Sequence, residues 1–254
     1  MRTRMRDSKW PVVHHSQMVP NRRKDQYQVS QKLENPSKVS PSYSYSVKVW
    51  RADPSAPLAR VPLPDLFSLK NRTYVVTGAA RGLGLTVARS LLEAGAHVHC
   101  LDMLPEPDVE GWKEALETAK AQGTSINYHT VDVTSQESLS SVFSTIFNST
   151  PSSTPVRGLY VAAGINQLKA ALDYTPADFR KVIDVNLTGT FFCAQAFAKE
   201  WFERNPNENG KAGSGASIVL TGSMSGHVAN ADLLCAAYNA SKAGVSPSVG
   251  RGVS

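Results

Sequence analysis

The 254-residue sequence is short of several things, and each shortage removes a class of protein. It has only three cysteines, Cys100, Cys193 and Cys235, widely separated and odd in number. Neither a disulfide framework nor a CxxC metal knuckle can be built from them, and they read as small apolar side chains in a reducing compartment. No metal site is expected. Long apolar runs are also missing: a stretch such as 159–165 falls far below the roughly 20 residues of a membrane-spanning helix. The N-terminus lacks the apolar core of a secretory signal, so the Asn-x-Ser/Thr sequons at Asn71, Asn148, Asn186 and Asn239 read as chance. No repeat is visible.

Net positive charge is missing from three quarters of the chain. The 27 basic and 21 acidic residues give a net charge of +6, but residues 1–60 hold 12 of the basic and 4 of the acidic residues, leaving 15 and 17 for the rest. The basicity is thus a property of the N-terminal segment. That segment is rich in Ser, Pro, Gln and Lys/Arg with little apolar period, and residues 1–65 are expected to be a disordered basic tail. Arg2, Arg4, Arg6 and Lys9 suggest a mitochondrial address, which Asp7 and Asp25 interrupt; a cytoplasmic location is the expectation and a mitochondrial one the alternative. The tail has neither interleaved aromatics nor a folded reading element, so no specific nucleic-acid partner is expected, and no membrane partner.

From residue 66 the pattern alternates short β-branched runs with longer amphipathic stretches, the sign of βαβ units and a parallel sheet. Strands are predicted near 73–77, 97–101, 126–131, 158–161 and 217–221, with helices near 82–94, 110–122, 136–148 and 176–205 and a loop over 205–215. Between the first strand and first helix lies Thr77-Gly78-Ala79-Ala80-Arg81-Gly82-Leu83-Gly84. Glycines there let backbone approach a pyrophosphate, and the helix N-terminus offers free N–H groups. Asp102 follows Gly84 by 18 residues, close to the spacing at which a carboxylate reaches an adenosine ribose. Such a carboxylate accepts from a free 2′-hydroxyl and repels a 2′-phosphate, which favours NAD; Arg81 is a phosphate partner that would admit NADP.

Tyr238 and Lys242 are four residues apart, so a helix projects both from one face, where the ammonium stabilises a phenolate. Ser223 follows the apolar run Ile218-Val219-Leu220 at a strand's C-terminal end, where ligands bind in open α/β sheets. With these residues in place the chain resembles the short-chain dehydrogenase/reductase family over about residues 66–245. The motifs that carry the resemblance are the glycine turn, Asp132 after the third strand, Asp184-Val185-Asn186-Leu187-Thr188-Gly189, Ser223 and the Tyr238/Lys242 pair.

The resemblance implies that Tyr238 is the general acid/base, that Lys242 lowers its pKa and holds the nicotinamide ribose, that Ser223 binds the substrate oxygen and that Asn186 positions a water in a proton relay. It places Asp132 near the adenine and gives Gly78, Arg81, Gly82, Leu83, Gly84, Asp102, Val133, Ala163, Gly164, Tyr238 and Lys242 to the cofactor. The segments 63–70 and 223–230 look like fungal members that interconvert polyols and ketoses, which implies a small-molecule alcohol or ketone as substrate. Full-length relatives are implied to be oligomeric; the assembly of this chain stays open.

Two departures stand out. Val161-Ala162-Ala163-Gly164 lacks the paired asparagines of the family turn, and a modest stability cost is expected. After Lys242, the run 245–254 holds Pro247, Gly250 and Gly252 without helical period, so the catalytic helix is expected to break there. The family adds two more strands, and the expectation is therefore a Rossmann-like doubly wound parallel sheet with helices on both faces, its last strands missing and its fifth strand an uncovered edge. Two functions stay open: an NAD(P)-dependent oxidoreductase on an alcohol or carbonyl, with a polyol/ketose pair favoured, or a shortened, catalytically inactive chain that keeps residual dinucleotide binding.

Overall fold

A computed structural model describes residues 26–29, 45–48, 62–206, 215–228 and 233–245. The chain divides into two compact units, Met1–Arg60 and Val61–Ser254. In the first, strands β1 (Gln26–Val29) and β2 (Tyr45–Lys48) pair antiparallel; the expectation of disorder over 1–65 otherwise falls outside the described residues, apart from the short helix α1 (Leu63–Leu66) of the second unit. The run after Val245 and the stretches 207–214 and 229–232 also lie outside them, and with these the expected helix break.

The second unit is built on a five-stranded sheet of β3 (Thr73–Thr77), β4 (His97–Asp102), β5 (Ile126–Thr130), β6 (Val156–Val161) and β7 (Ser217–Leu220). All neighbours are parallel and the order is β5-β4-β3-β6-β7. This is the expected Rossmann-like sheet, with strand ends within two residues of those read from the sequence. Central strands are apolar on both faces because each face carries helices. Val75, Leu101, Leu159 and Val161 pack on one side with Leu139, Phe143, Phe197 and Trp201, whereas Val76, Val98 and Cys100 pack on the other with Leu85, Ala88, Leu92 and Ala115. Among the described residues β7 pairs only with β6, and Val219 on it is half exposed.

The helices start where the sequence supplies caps. Helix α2 (Gly82–Glu93) follows the glycine turn. Asp108 caps α3 (Val109–Gln122), which ends on Gly123 in the left-handed region, and Ser135 caps α4 (Gln136–Ser149). Thr175 and Asp178 form a reciprocal capping box on α5 (Pro176–Ile183).

The single long helix expected over 176–205 is divided. Between α5 and α6 (Thr190–Arg204) lies a π-helical turn, Asp184–Gly189. Here Asn186 turns its side chain out of the helix, and its carbonyl accepts from the Thr190 hydroxyl at 2.7 Å. On α6 Phe197 and Trp201 are buried in the core while Phe191 is half exposed. Helix α7 (Ala236–Val245) packs on α5 and the π turn.

His99 and His129 form a stacked pair across β4 and β5, with His99 Nδ1 2.8 Å from His129 Nε2 and ring centroids 5.1 Å apart. The pair needs one nitrogen as donor and the other as acceptor, a bond two neutral rings make. Burial, with His129 and His97 nearby, holds His99 down at about 4, and burial also lowers His129. The folded His99 pKa lies below its unfolded value near 6.5, so the unfolded chain binds the proton first and stability falls as pH drops from about 6.5 to about 4, then levels for this group. At pH 5 the His99 contribution is a loss of about 2 kcal/mol relative to pH 7. Urea midpoints at the two pH values should differ, and His99→Gln should flatten the difference.

Candidate active site

The chain order reverses beside β3: β4 and β5 extend to one side, then the chain returns to lay β6 on the other. A crevice opens at the C-terminal ends of strands at such a switch point. Here the crevice is a cleft of about 1020 Å³. Gly78 forms its floor with φ +67, and a Cβ built there would lie 2.6 Å from the Ala163 backbone; one built on Gly84 would lie 2.1 Å from the Gly78 carbonyl oxygen. The two glycines therefore let three backbone segments meet around a hollow that side chains would fill. Gly82, also at positive φ, faces open space.

Of the residues assigned to a cofactor, Gly78, Arg81, Leu83, Gly84, Asp102, Asp132, Val133, Ala163 and Gly164 line the cleft. Gly82, Tyr238 and Lys242 are not among its lining residues. Met103, Leu104, Thr134, Arg180, Lys181 and Thr188 also line it and were missed. The signal for part of this lining was present: Ala177, Lys181, Asp184 and Thr188 recur at intervals of three or four and hence share one helix face.

Asp102 is anchored by backbone donors, its Oδ2 accepting from Ala80 N at 3.0 Å and its Oδ1 from Leu104 N at 3.1 Å. Each oxygen retains acceptor capacity toward the cleft. Asp132 Oδ1 accepts from the Thr134 N–H and hydroxyl at 2.9 and 2.8 Å. Where the family turn would place asparagines, two threonine hydroxyls tie the strand ends: Thr77 Oγ1 accepts from Ala163 N, and Thr221 Oγ1 donates to the Val161 carbonyl at 2.6 Å.

Beyond β7, Ser223 Oγ caps the 3₁₀ turn Met224–Gly226 by accepting from Ser225 N at 3.2 Å. That turn packs on α7 so closely that a Cβ on Gly226 would meet the Lys242 and Ala243 backbone at 2.7 Å. Lys242 is 4% exposed. Its Nζ donates to the Thr221 carbonyl at 2.6 Å and lies 5.8 Å from the Tyr238 ring centroid, within cation–π range. Burial pulls its pKa down, an effect the carbonyl partner and the ring face oppose. The structure thus sets Lys242 beside the Tyr238 ring on α7, against the Thr221 carbonyl at the end of β7 and the 3₁₀ turn that Ser223 caps.

Asn186 is fully buried. Its Oδ1 accepts from Ile165 N at 2.8 Å, while its Nδ2 donates to the Ile165 carbonyl at 2.9 Å and to Ser241 Oγ at 3.1 Å; Ser241 Oγ in turn donates to the Tyr238 carbonyl at 2.7 Å. This side chain ties Ile165, in the lining of the cleft, to the turn that carries Tyr238. The His99 and His129 imidazoles belong to β4 and β5 of the sheet, and among the described residues no cluster of three or more His, Cys, Asp or Glu could hold a metal ion. Nor does any described helix have the length and apolarity to cross a membrane.

A parallel sheet with a glycine-lined cleft at its switch point, and an acid at the end of the second strand, defines a Rossmann-like dinucleotide-binding fold. Residues 72–248 match the short chain dehydrogenase family, and the chain belongs to that family. It is 37% identical over 194 residues to the short chain dehydrogenase/reductase notP′ of Aspergillus versicolor, an alignment covering 76% of this chain and 63% of that protein. The NADP-dependent mannitol dehydrogenase of Hypocrea jecorina is 32% identical over 184 residues, covering 72% of this chain and 64% of that one. A short-chain type dehydrogenase/reductase from Mycobacterium marinum superposes with a TM-score of 0.62 at 28% identity, over 73% of this chain and 69% of that structure. The chain spans somewhat less than two thirds of the length of these curated relatives.

Proposed function

We propose that the chain is an NAD(P)-dependent oxidoreductase that interconverts a secondary alcohol and a ketone, with a polyol and its ketose as the pair. The observation that carries this reading is the buried Lys242 ammonium beside the Tyr238 ring, on a helix tied to the floor of a glycine-lined cleft. In the oxidation direction the Tyr238 phenolate accepts the substrate hydroxyl proton while the adjacent C–H leaves as hydride; in reduction the phenol returns that proton to the carbonyl oxygen. Ser223 Oγ hydrogen-bonds the same oxygen. Lys242 favours the phenolate by its charge and has further N–H donors for ribose hydroxyls. The nicotinamide, when bound, supplies the hydride acceptor or donor.

Gly78 and Gly84 make room for the pyrophosphate, and Asp102 is the acceptor for the adenosine ribose, which favours NAD; Arg81 at the cleft and a relative named for NADP make the comparison worth measuring. Asp102→Ser should weaken NAD by roughly tenfold, the loss of a hydrogen bond to a charged group, and relieve the repulsion of NADP. Calorimetric titration with both dinucleotides reads the change.

A second reading rests on exposed apolar side chains. Leu168, Leu172, Leu233 and Leu234 are all more than half exposed, on two segments joined by the Lys169 N to Leu234 O hydrogen bond of 2.7 Å. They would suit a less polar secondary alcohol. Steady-state rates with mannitol, xylitol, arabinitol and the matching ketoses, against 2-octanol, cyclohexanol and their ketones, test both. Selective turnover of the sugars supports the polyol reading; preference for the apolar set replaces it with the second; no turnover with either removes the activity.

A further inference from the structure

Lys169 lies in the segment between β6 and α5 that passes from the cleft toward α7. Its side chain and backbone take hold of different elements. Its Nζ meets Asp178 Oδ2 at 2.6 Å, on the first turn of α5. Its N–H donates to the Leu234 carbonyl at 2.7 Å, and residue 169 forms a parallel bridge with Cys235. Cys235 leads directly into α7: its carbonyl accepts from Asn239 N at 3.0 Å and its Sγ lies 3.1 Å from Asn239 Oδ1. Tyr238 sits in that same first turn.

Asp178 is a fixed end for this connection. Its Oδ2 also accepts from Thr175 Oγ1 at 2.8 Å and, closing the capping box, from Thr175 N at 3.4 Å, and the Lys169 ammonium with the Thr175 donors holds its carboxyl below the usual range. The α5 helix runs on into the π turn, where Asn186 grips both Ile165 and Ser241. The Tyr238 turn is therefore anchored twice to α5 and its continuation: from within by Asn186 and Ser241, and at its N-terminal end through Lys169.

We propose that Lys169 and Asp178 form a positioning pair that sets the N-terminal end of the catalytic helix and so the reach of Tyr238 to the substrate oxygen. Neither residue touches the reacting atoms; both act through the 233–235 segment. The claim about catalysis rests on the oxidoreductase reading above, while the claim about the helix stands on geometry alone. Lys169→Met removes the ammonium and keeps the stem; Asp178→Asn keeps a side-chain acceptor for the Thr175 cap; Lys169→Arg keeps the charge.

Two readouts on the full chain separate the claims. Hydrogen–deuterium exchange by mass spectrometry should show peptides across 233–242 exchanging up to about fivefold faster in Lys169→Met and Asp178→Asn, the scale of a partly exposed ion pair. Peptides from β3, β4 and α2 should keep their rates, and Lys169→Arg should restore the wild-type pattern. With a substrate that turns over, kcat should fall by about tenfold through misplacement while KM for the dinucleotide stays unchanged. Unchanged exchange over 233–242 overturns the proposal, as does an increase spread over the whole domain or a change in KM alone. If the wild-type chain turns over no substrate, the oxidoreductase reading falls, and the exchange comparison still decides whether the pair anchors the helix.

Discussion

Tyr238→Phe should lower turnover by roughly 10²–10⁴-fold, the range supplied by a positioned general acid or base, while the dinucleotide Kd stays within about twofold, since Tyr238 is not among the residues that line the cleft. The substitution deletes one oxygen and retains the ring that Lys242 faces at 5.8 Å, so α7 and its contacts should persist. Lys242→Met is the informative companion. It removes the donor to the Thr221 carbonyl and the charge that favours the phenolate, so both turnover and ribose binding should fall. Stopped-flow turnover with calorimetric titration of the dinucleotide separates the two patterns. A Tyr238→Phe chain that keeps wild-type turnover would remove Tyr238 from the chemistry.

Gly84→Ala should abolish dinucleotide binding and lower the thermal midpoint, because the new Cβ would sit 2.1 Å from the Gly78 carbonyl oxygen and 2.7 Å from its carbon. Both are backbone atoms, and no side chain can swing away to relieve the contact. The first turn of α2 would have to lift off the glycine turn. Overpacking of this kind costs about 1–3 kcal/mol or more, and the displaced N–H groups would no longer converge on a phosphate. Gly82→Ala is the control: its Cβ meets nothing within 4 Å, but the residue has φ +56, so only the backbone strain of about 1–3 kcal/mol remains. The first variant should lose binding and the second mainly stability, as thermal denaturation with and without NAD would show.

Much of this was legible because it is local. The run Tyr74-Val75-Val76 followed by the glycine turn and Leu85, Ala88 and Leu92 states a strand, a turn and an amphipathic helix in consecutive residues, and the structure follows it within a residue. Asp102 was readable for the same reason, as the acid that ends an apolar strand. The π turn was not. It adds one residue to a helical turn whose flanks, Phe179 to Val182 and Phe191 to Phe197, keep an ordinary apolar period, so the periodicity of 176–205 reads as one helix. Its cause is Asn186 bonding to Ile165, 21 residues earlier, a contact no local pattern announces. Lys169 was silent for a similar reason: it gains meaning only when the sheet brings residue 169 beside residue 235. The His99 and His129 pair was silent for the same reason, its two rings coming from neighbouring strands and 30 residues apart in the chain.

Direct hydride transfer is the central claim, and isotope transfer reads it without relying on rates. The full chain would be incubated with NAD or NADP and each alcohol of the panel carrying deuterium on its carbinol carbon, and the recovered dinucleotide examined by mass spectrometry and proton NMR. Deuterium should appear on the reduced nicotinamide ring with at least one secondary alcohol, polyols foremost, and should be lost with Tyr238→Phe. Recovered dinucleotide free of deuterium with every alcohol, in a chain shown by titration to bind it, would contradict the account.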